Sequence, residues 1–234
     1  MIINGAVLGL ATAALILFGH VVCSDPTAQY KNLLRTLDES VNLVAPGEVD
    51  PQYSNVSLSL HLINIVEVNT KQRFLDATFY MQQSYKDPRV SWDSLGPKKL
   101  LLPADKVWAP DFEVYNGLAP IEYLTARTAL LYSSGEVMLV PAVRIKVPCQ
   151  TSDNNNNVTC TLIIGSWSHD GSEVNPVVDG SEPYVKELVP NQSWNLADSS
   201  AELKLKTCEL FESVYPSVVY SFTFQRRPKK CVEE

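Results

Sequence analysis

The strictest constraint in this chain is a period of two. Val56, Leu58, Leu60 and Leu62 alternate with Ser57, Ser59 and His61, and Leu75, Ala77, Phe79 and Met81 alternate with Thr78, Tyr80 and Gln82. In an extended backbone successive side chains point to opposite faces, so each segment buries one face and offers the other to solvent or to a partner. Val137 to Val147 and Val214 to Phe224 are further β-branched and aromatic runs, with turn composition at Ser133-Ser134-Gly135, His169-Asp170-Gly171 and Val178-Asp179-Gly180. One stretch fits a surface helix: Leu33, Leu34, Leu37 and Val41 recur at near-helical spacing within Ala28 to Leu43, with Thr27 as N-cap. No internal repeat or Gly/Ser linker divides the 234 residues, so the pattern predicts one all-β sandwich preceded by a short helix.

Charge and composition narrow the function. With 45% hydrophobic and 19% charged residues the chain is neither disordered nor collagen-like, and its net charge of −7 offers no basic surface for phosphate backbones. Nucleic acid is therefore not expected as a partner. The three histidines, His20, His61 and His169, are scattered, and neither HExxH nor a CxxC pair is present, so no metal or other cofactor is expected. Ser168-His169-Asp170 contains the residue types of a hydrolytic triad, but chain neighbours diverge where a triad must converge, and the segment reads as a turn. With no G-x-S-x-G elbow, P-loop or dinucleotide fingerprint, an enzyme is not expected.

The N-terminus speaks to compartment. Residues 1–24 carry no Asp, Glu, Lys or Arg, and Ala6 to Phe18 is an apolar run of signal-peptide length, with Val21-Val22-Cys23 before a cleavage point. The expectation is a signal peptide over 1–24, a mature domain over 25–234 and a secreted, extracellular product without a membrane span. Three acceptor sequons, at Asn55, Asn157 and Asn191, agree with secretion. If Cys23 leaves with the leader, four cysteines remain. Cys149 and Cys160 enclose ten residues of loop composition, and a bridge between them is expected to stabilise the fold by roughly 3 kcal/mol. Cys208 and Cys231 flank the strand-like run Tyr215 to Gln225, which would carry the chain roughly 30 Å at about 3.3 Å per residue. Their pairing stays open: free, between chains, or within a chain whose tail folds back.

The aromatic residues suggest what is bound. Trp108 in Trp108-Ala109-Pro110-Asp111, Tyr115, Trp167 in Gly165-Ser166-Trp167 and Tyr215 each stand beside turn residues and outside the alternating runs. A box of such rings holds quaternary or protonated amines, each desolvated face contributing about 2 kcal/mol; taken singly, each ring is read rather as core or glycan-facing. These elements, in this order, resemble the extracellular ligand-binding domain of the Cys-loop pentameric receptors. The resemblance runs from the N-terminal helix through Phe79-Tyr80-Met81-Gln82-Gln83, Trp108-Ala109-Pro110-Asp111, Gly135-Glu136-Val137-Met138-Leu139-Val140-Pro141, the Cys149 to Cys160 loop and Gly165-Ser166-Trp167 to Phe224-Gln225-Arg226-Arg227. It implies an immunoglobulin-like sandwich of about ten strands. Receptors of this family continue into membrane helices after the last strand; with the chain ending at Glu234, the resemblance is to the soluble acetylcholine-binding members.

Carried over residue by residue, the resemblance implies a cage at a subunit interface. Tyr115, Trp167 and Tyr215 match the aromatic residues of the principal face, and Tyr80 matches the aromatic supplied by the neighbouring subunit, with Met138 and Val140 as an apolar floor. The implied ligand is acetylcholine or a nicotine-like cation, the implied assembly a homopentamer, and a larger assembly of pentamers is open through Cys231. Lys206-Thr207-Cys208-Glu209-Leu210-Phe211-Glu212 departs from the family, which has two adjacent cysteines and a tyrosine two positions before them. Counting back from Tyr215, Cys208 falls where that tyrosine would stand. One lost cation-π face implies affinity lower by about ten- to thirtyfold. The alternative is a pentameric extracellular scaffold or carrier with weak or lost ligand binding.

Overall fold

The alternating segments form a long antiparallel pair, β1 (Asn55–Asn69) and β2 (Phe74–Lys86). Asn69 closes the turn between them, its Oδ1 accepting from the backbone N–H groups of Lys71 and Gln72. As the pattern requires, Leu58, Leu60, Leu62, Leu75, Ala77, Phe79 and Met81 are buried on one face. The structure is a computed structural model that describes residues 31, 34–35, 41–92, 97–152, 156–178, 180, 182–208 and 212–228. The expected leader over 1–24, most of the helix expected within Ala28 to Leu43, and Cys231 lie outside the described residues. Lys31, Leu34 and Arg35 are helical, and Val41–Leu43 is a 3-10 turn.

Twelve strands are described, where about ten were expected. β3 (Lys99–Pro103), β4 (Phe112–Val114), β5 (Glu122–Tyr123) and β6 (Thr128–Tyr132) are short. The run Val137 to Val147 is two strands, β7 (Glu136–Leu139) and β8 (Ala142–Thr151), parted at Val140-Pro141. Proline has no N–H for a ladder. Its carbonyl instead accepts from Met81 N at 3.0 Å, and β2 changes partner there, pairing with β7 over Gln83–Lys86 and with β8 over Phe74–Tyr80. β9 (Asn157–Ser166), β10 (Asn175–Val178), β11 (Trp194–Cys208) and β12 (Ser213–Arg226) complete the set.

The strand order β3-β6-β7-β2-β8-β9-β12-β11 folds over on itself, with β1 on β2, β10 on β1, β5 on β8 and β4 on β9. β8 belongs to both layers: it pairs with β2 through Pro148 and with β9 from Cys149 to Thr151. Cys149 and Cys160 stand directly opposite in that second pairing, with Cα atoms 4.1 Å apart, and form the expected disulfide. Between the layers Phe79 of β2 meets Phe222 of β12 at 5.8 Å between ring centroids, and Tyr220 Oη donates to the Leu58 carbonyl at 2.8 Å. Burial pushes the Tyr220 phenol well above its ordinary range. Each such ring contributes about 1.5–3 kcal/mol through burial, so the core fixes how the two outward faces sit. Among the described residues no helix is long and apolar enough to cross a membrane.

Candidate ligand-binding site

One carboxylate organises the loop that carries Trp167. Asp111 Oδ1 accepts from Ser166 Oγ at 2.6 Å, its Oδ2 accepts from Ser168 N at 2.7 Å, and its backbone carbonyl accepts from Trp167 N at 3.3 Å. Three consecutive residues are thus tied to a single side chain and its backbone. Burial pushes the Asp111 pKa up, but the hydrogen bonds from Ser166 and Ser168, with the nearby His169, outweigh it and hold the carboxyl below its ordinary value. His169 Nδ1 lies 3.4 Å from Asp111 Oδ1, and its Nε2 lies 3.3 Å from Glu48 Oε1, in a one-turn helix at Pro46–Val49. Ser166 is 3% exposed and its hydroxyl donates to the carboxylate, so serine, histidine and aspartate meet here as a clamp on the loop.

Trp108, one of the four aromatic residues beside turns, is core. It is 5% exposed and meets Tyr85 edge-on at 5.0 Å and His169 at 6.2 Å, while its carbonyl accepts from Tyr85 Oη. The other three face outward. Trp167 is 71% exposed, and its ring lies 6.4 Å from that of Tyr115 at 61°. Tyr115 Oη donates to the Ser166 carbonyl at 2.5 Å, and its ring covers Gly165 so closely that a Cβ there would come within 2.5 Å of the phenol oxygen. Burial raises the pKa of Tyr115.

Tyr115 and Tyr215 close a depression of about 410 Å³ on the outer face of β9, β12 and β11, floored by Ile163 and Val219 and rimmed by Lys204 and Lys206. The register explains this: Ile163 opposes Val219, Ser217 opposes Lys204, and Tyr215 opposes Lys206, so all six side chains leave the same face of the sheet. Trp167 stands beside the depression through its contact with Tyr115. Cys208 ends β11, paired across the hairpin with Ser213; Glu209, Leu210 and Phe211 lie outside the described residues.

Tyr80 lies on the other side of the sandwich. Its neighbours Phe79 and Met81 are buried, so Tyr80 points outward, 37% exposed. Met138 opposes Ser84 in the β2–β7 pairing and so leaves the same face as Tyr80, next to the exposed Val140. Tyr80, Met138 and Val140 therefore form one patch, and Tyr115, Trp167 and Tyr215 another, facing away from it. Beside Tyr80 the structure adds residues that sequence reasoning missed. His61 opposes Tyr80 on β1 and packs against Tyr184 at 4.7 Å between ring centroids, the rings tilted by 36°, beside a depression of about 410 Å³ that Gln82 also lines. Burial lowers the His61 pKa, against the opposing pull of Glu187. Alternation placed His61 on the polar face; nothing local to it pointed to Tyr184.

The sequons sit at strand ends. Asn55 and Asn157 are exposed at the starts of β1 and β9, and Asn55 Oδ1 accepts from Asn175 Nδ2 at 2.8 Å. Asn191 Oδ1 accepts from the backbone N–H groups of Ser193 and Trp194, which shapes the entry to β11.

Comparison with known proteins gives a consistent result. The sequence profile of the neurotransmitter-gated ion-channel ligand binding domain matches residues 28–228. The neuronal acetylcholine receptor subunit beta-4 of Bos taurus is 25% identical over 194 residues, 80% of this chain and 38% of that subunit. The alpha-6 subunit of Rattus norvegicus is 28% identical over 193 residues, 76% of this chain and 37% of that subunit. The chain thus spans under two fifths of the length of these relatives. The crystal structure of the acetylcholine-binding protein AChBP of Bulinus truncatus superposes with a TM-score of 0.72 at 25% identity, covering 85% of this chain and 99% of that one.

Proposed function

Because the chain belongs to the neurotransmitter-gated ion-channel ligand binding domain family, we propose that it is a secreted, glycosylated, non-catalytic binding protein for acetylcholine and related cationic ligands. The cation is held between subunits of a homopentamer, with Tyr115, Trp167 and Tyr215 of one subunit facing Tyr80, Met138 and Val140 of the next. The observation that carries this reading is the exposure of Trp167. An indole left 71% open, on a loop pinned by four contacts to Asp111, is an aromatic face prepared for something outside its own chain. The division of the two aromatic patches between opposite faces supports an interface site, since no single chain closes the cage. Closure of such head-to-tail contacts gives a ring.

The test is a titration of intrinsic tryptophan fluorescence with acetylcholine and with nicotine, on size-purified protein. A saturable change in the wild type, lost in Trp167→Ala while the oligomer persists, is the expected outcome. No change up to millimolar ligand with an intact oligomer would favour the alternative, a pentameric scaffold or carrier that has lost its ligand. That alternative draws on one observation: Cys208 stands where the family's capping tyrosine would be, and the paired cysteines are absent. In it, a disulfide through Cys231 could join rings into larger assemblies, which non-reducing gels would detect.

A further inference from the structure

We infer that the depression between Tyr115 and Tyr215 selects zwitterionic ligands, in which a quaternary or protonated amine carries a carboxylate two or three bonds away, over simple cations of the same size. The inference rests on the proposed cage and says which kind of amine it takes. Among the described residues that line the depression, the only charged ones are Lys204 and Lys206, both basic. Lys204 is neutralised by its neighbour: its Nζ lies 2.8 Å from Glu202 Oε1. Lys206 makes no ion pair or side-chain hydrogen bond with any described residue.

The position of Lys206 is set by register. It directly opposes Tyr215 across the β11–β12 pair, and directly opposed residues have Cβ atoms about 5 Å apart, so its side chain leaves the sheet beside the tyrosine that would hold the cation. An ammonium at the rim of a cation cage is a repulsive charge for a ligand that is only a cation. It is an attractive one for a ligand whose positive end lies on the rings and whose negative end reaches the rim. The floor, Ile163 and Val219, is apolar, and the other donors that line the depression, the hydroxyls of Thr161 and Ser217 and the phenols, are neutral, so Lys206 is the charge left to meet a carboxylate. Selection of this kind combines attraction of one end with repulsion of the alternative.

Choline and glycine betaine are the probes, since they share a trimethylammonium group and differ chiefly in a hydroxyl against a carboxylate. Affinities are measured by calorimetry on the assembled wild type and on Lys206→Met and Lys204→Met, with thermal melts to confirm folding. The wild type is expected to bind betaine at least about tenfold more tightly than choline, with the margin shrinking at high salt. K206M should abolish or invert that margin, whereas K204M should leave most of it. Choline bound more tightly than betaine by the wild type, or a margin unchanged in K206M, overturns the inference while the amine cage stands. If neither probe nor acetylcholine binds, the cage itself is overturned and this inference with it.

Discussion

At the scale of the residue, the site depends on Asp111 more than on any ring. Asp111→Asn keeps the size of the side chain but removes the charge that accepts from Ser166 and Ser168, and hydrogen bonds to a charged group are worth about 1.5–3 kcal/mol each. Chemical denaturation should show a loss of about 1–3 kcal/mol, since the amide oxygen keeps part of the network. The same carboxyl gives a pH dependence. Its folded pKa lies below the ordinary value of 3.8, so the unfolded chain takes up the proton first as pH falls. Its contribution is complete at neutral pH and is lost as pH drops below about 4. Melting temperatures followed down that range should fall less steeply in D111N than in the wild type. Gly165 is the second such residue. A Cβ there would meet Tyr115 Oη at 2.5 Å and the Pro216 carbonyl at 3.0 Å, so Gly165→Ala must move the tyrosine. Ligand affinity should fall about tenfold in a titration, the loss of one cation-π face. The outward direction of Tyr80 was legible from alternation alone. The burial of Trp108 was not, because its partners Tyr85 and His169 come from distant segments.

Elements were legible where a local rule decides them. β1 and β2 followed from the period of two, and β12 from its β-branched and aromatic content. The break between β7 and β8 was hidden inside one apolar run, although Pro141 is its physical cause and stood in the sequence. β4 and β5, with three and two residues, have too little pattern to show. β8 passes from one layer to the other, and the Cys149–Cys160 bridge sits at that passage. In Cys149→Ala/Cys160→Ala the unfolded chain regains loop freedom worth about 3 kcal/mol. Calorimetry should place the melting temperature lower by about 6–12 °C, given 2–4 °C per kcal/mol for a domain of this size. Ligand affinity should change little, because Cys160 faces the core with Phe222, on the side of β9 and β12 opposite to the depression.

For the whole molecule, the two aromatic patches make a prediction that no single chain could satisfy. W167A weakens one side of the proposed cage and Tyr80→Ala the other, so each variant alone should bind at least about tenfold more weakly than the wild type. Chains of the two variants co-expressed in equal amounts should form competent interfaces wherever a Y80A chain offers its tryptophan to the Tyr80 of a W167A chain. Random mixing around closed rings gives about a quarter of sites. Calorimetric stoichiometry measures it, and zero recovery would place both residues in one subunit's site. The residues of the proposed cage were named by the family resemblance, and aromatic residues beside turns could be read locally, although that local rule also selected the buried Trp108. The lysine rim and the His61–Tyr184 contact were not legible, since the first depends on strand register and the second on an isolated bridge between distant segments. Register also bears on how the protein is made. Asn55 to Leu58 of β1 pair in parallel with Asn175 to Val178 of β10, and Asn55 bonds to Asn175 across a separation of 120 residues. Until Asn175 leaves the ribosome, one edge of β1 stays open, and at about 5–20 residues per second that wait lasts roughly 6–24 s. The nascent chain therefore carries an unpaired edge through about half of its synthesis, one that pairing with β2 on the opposite side of β1 does not close, and a chaperone is needed to shield it from aggregation.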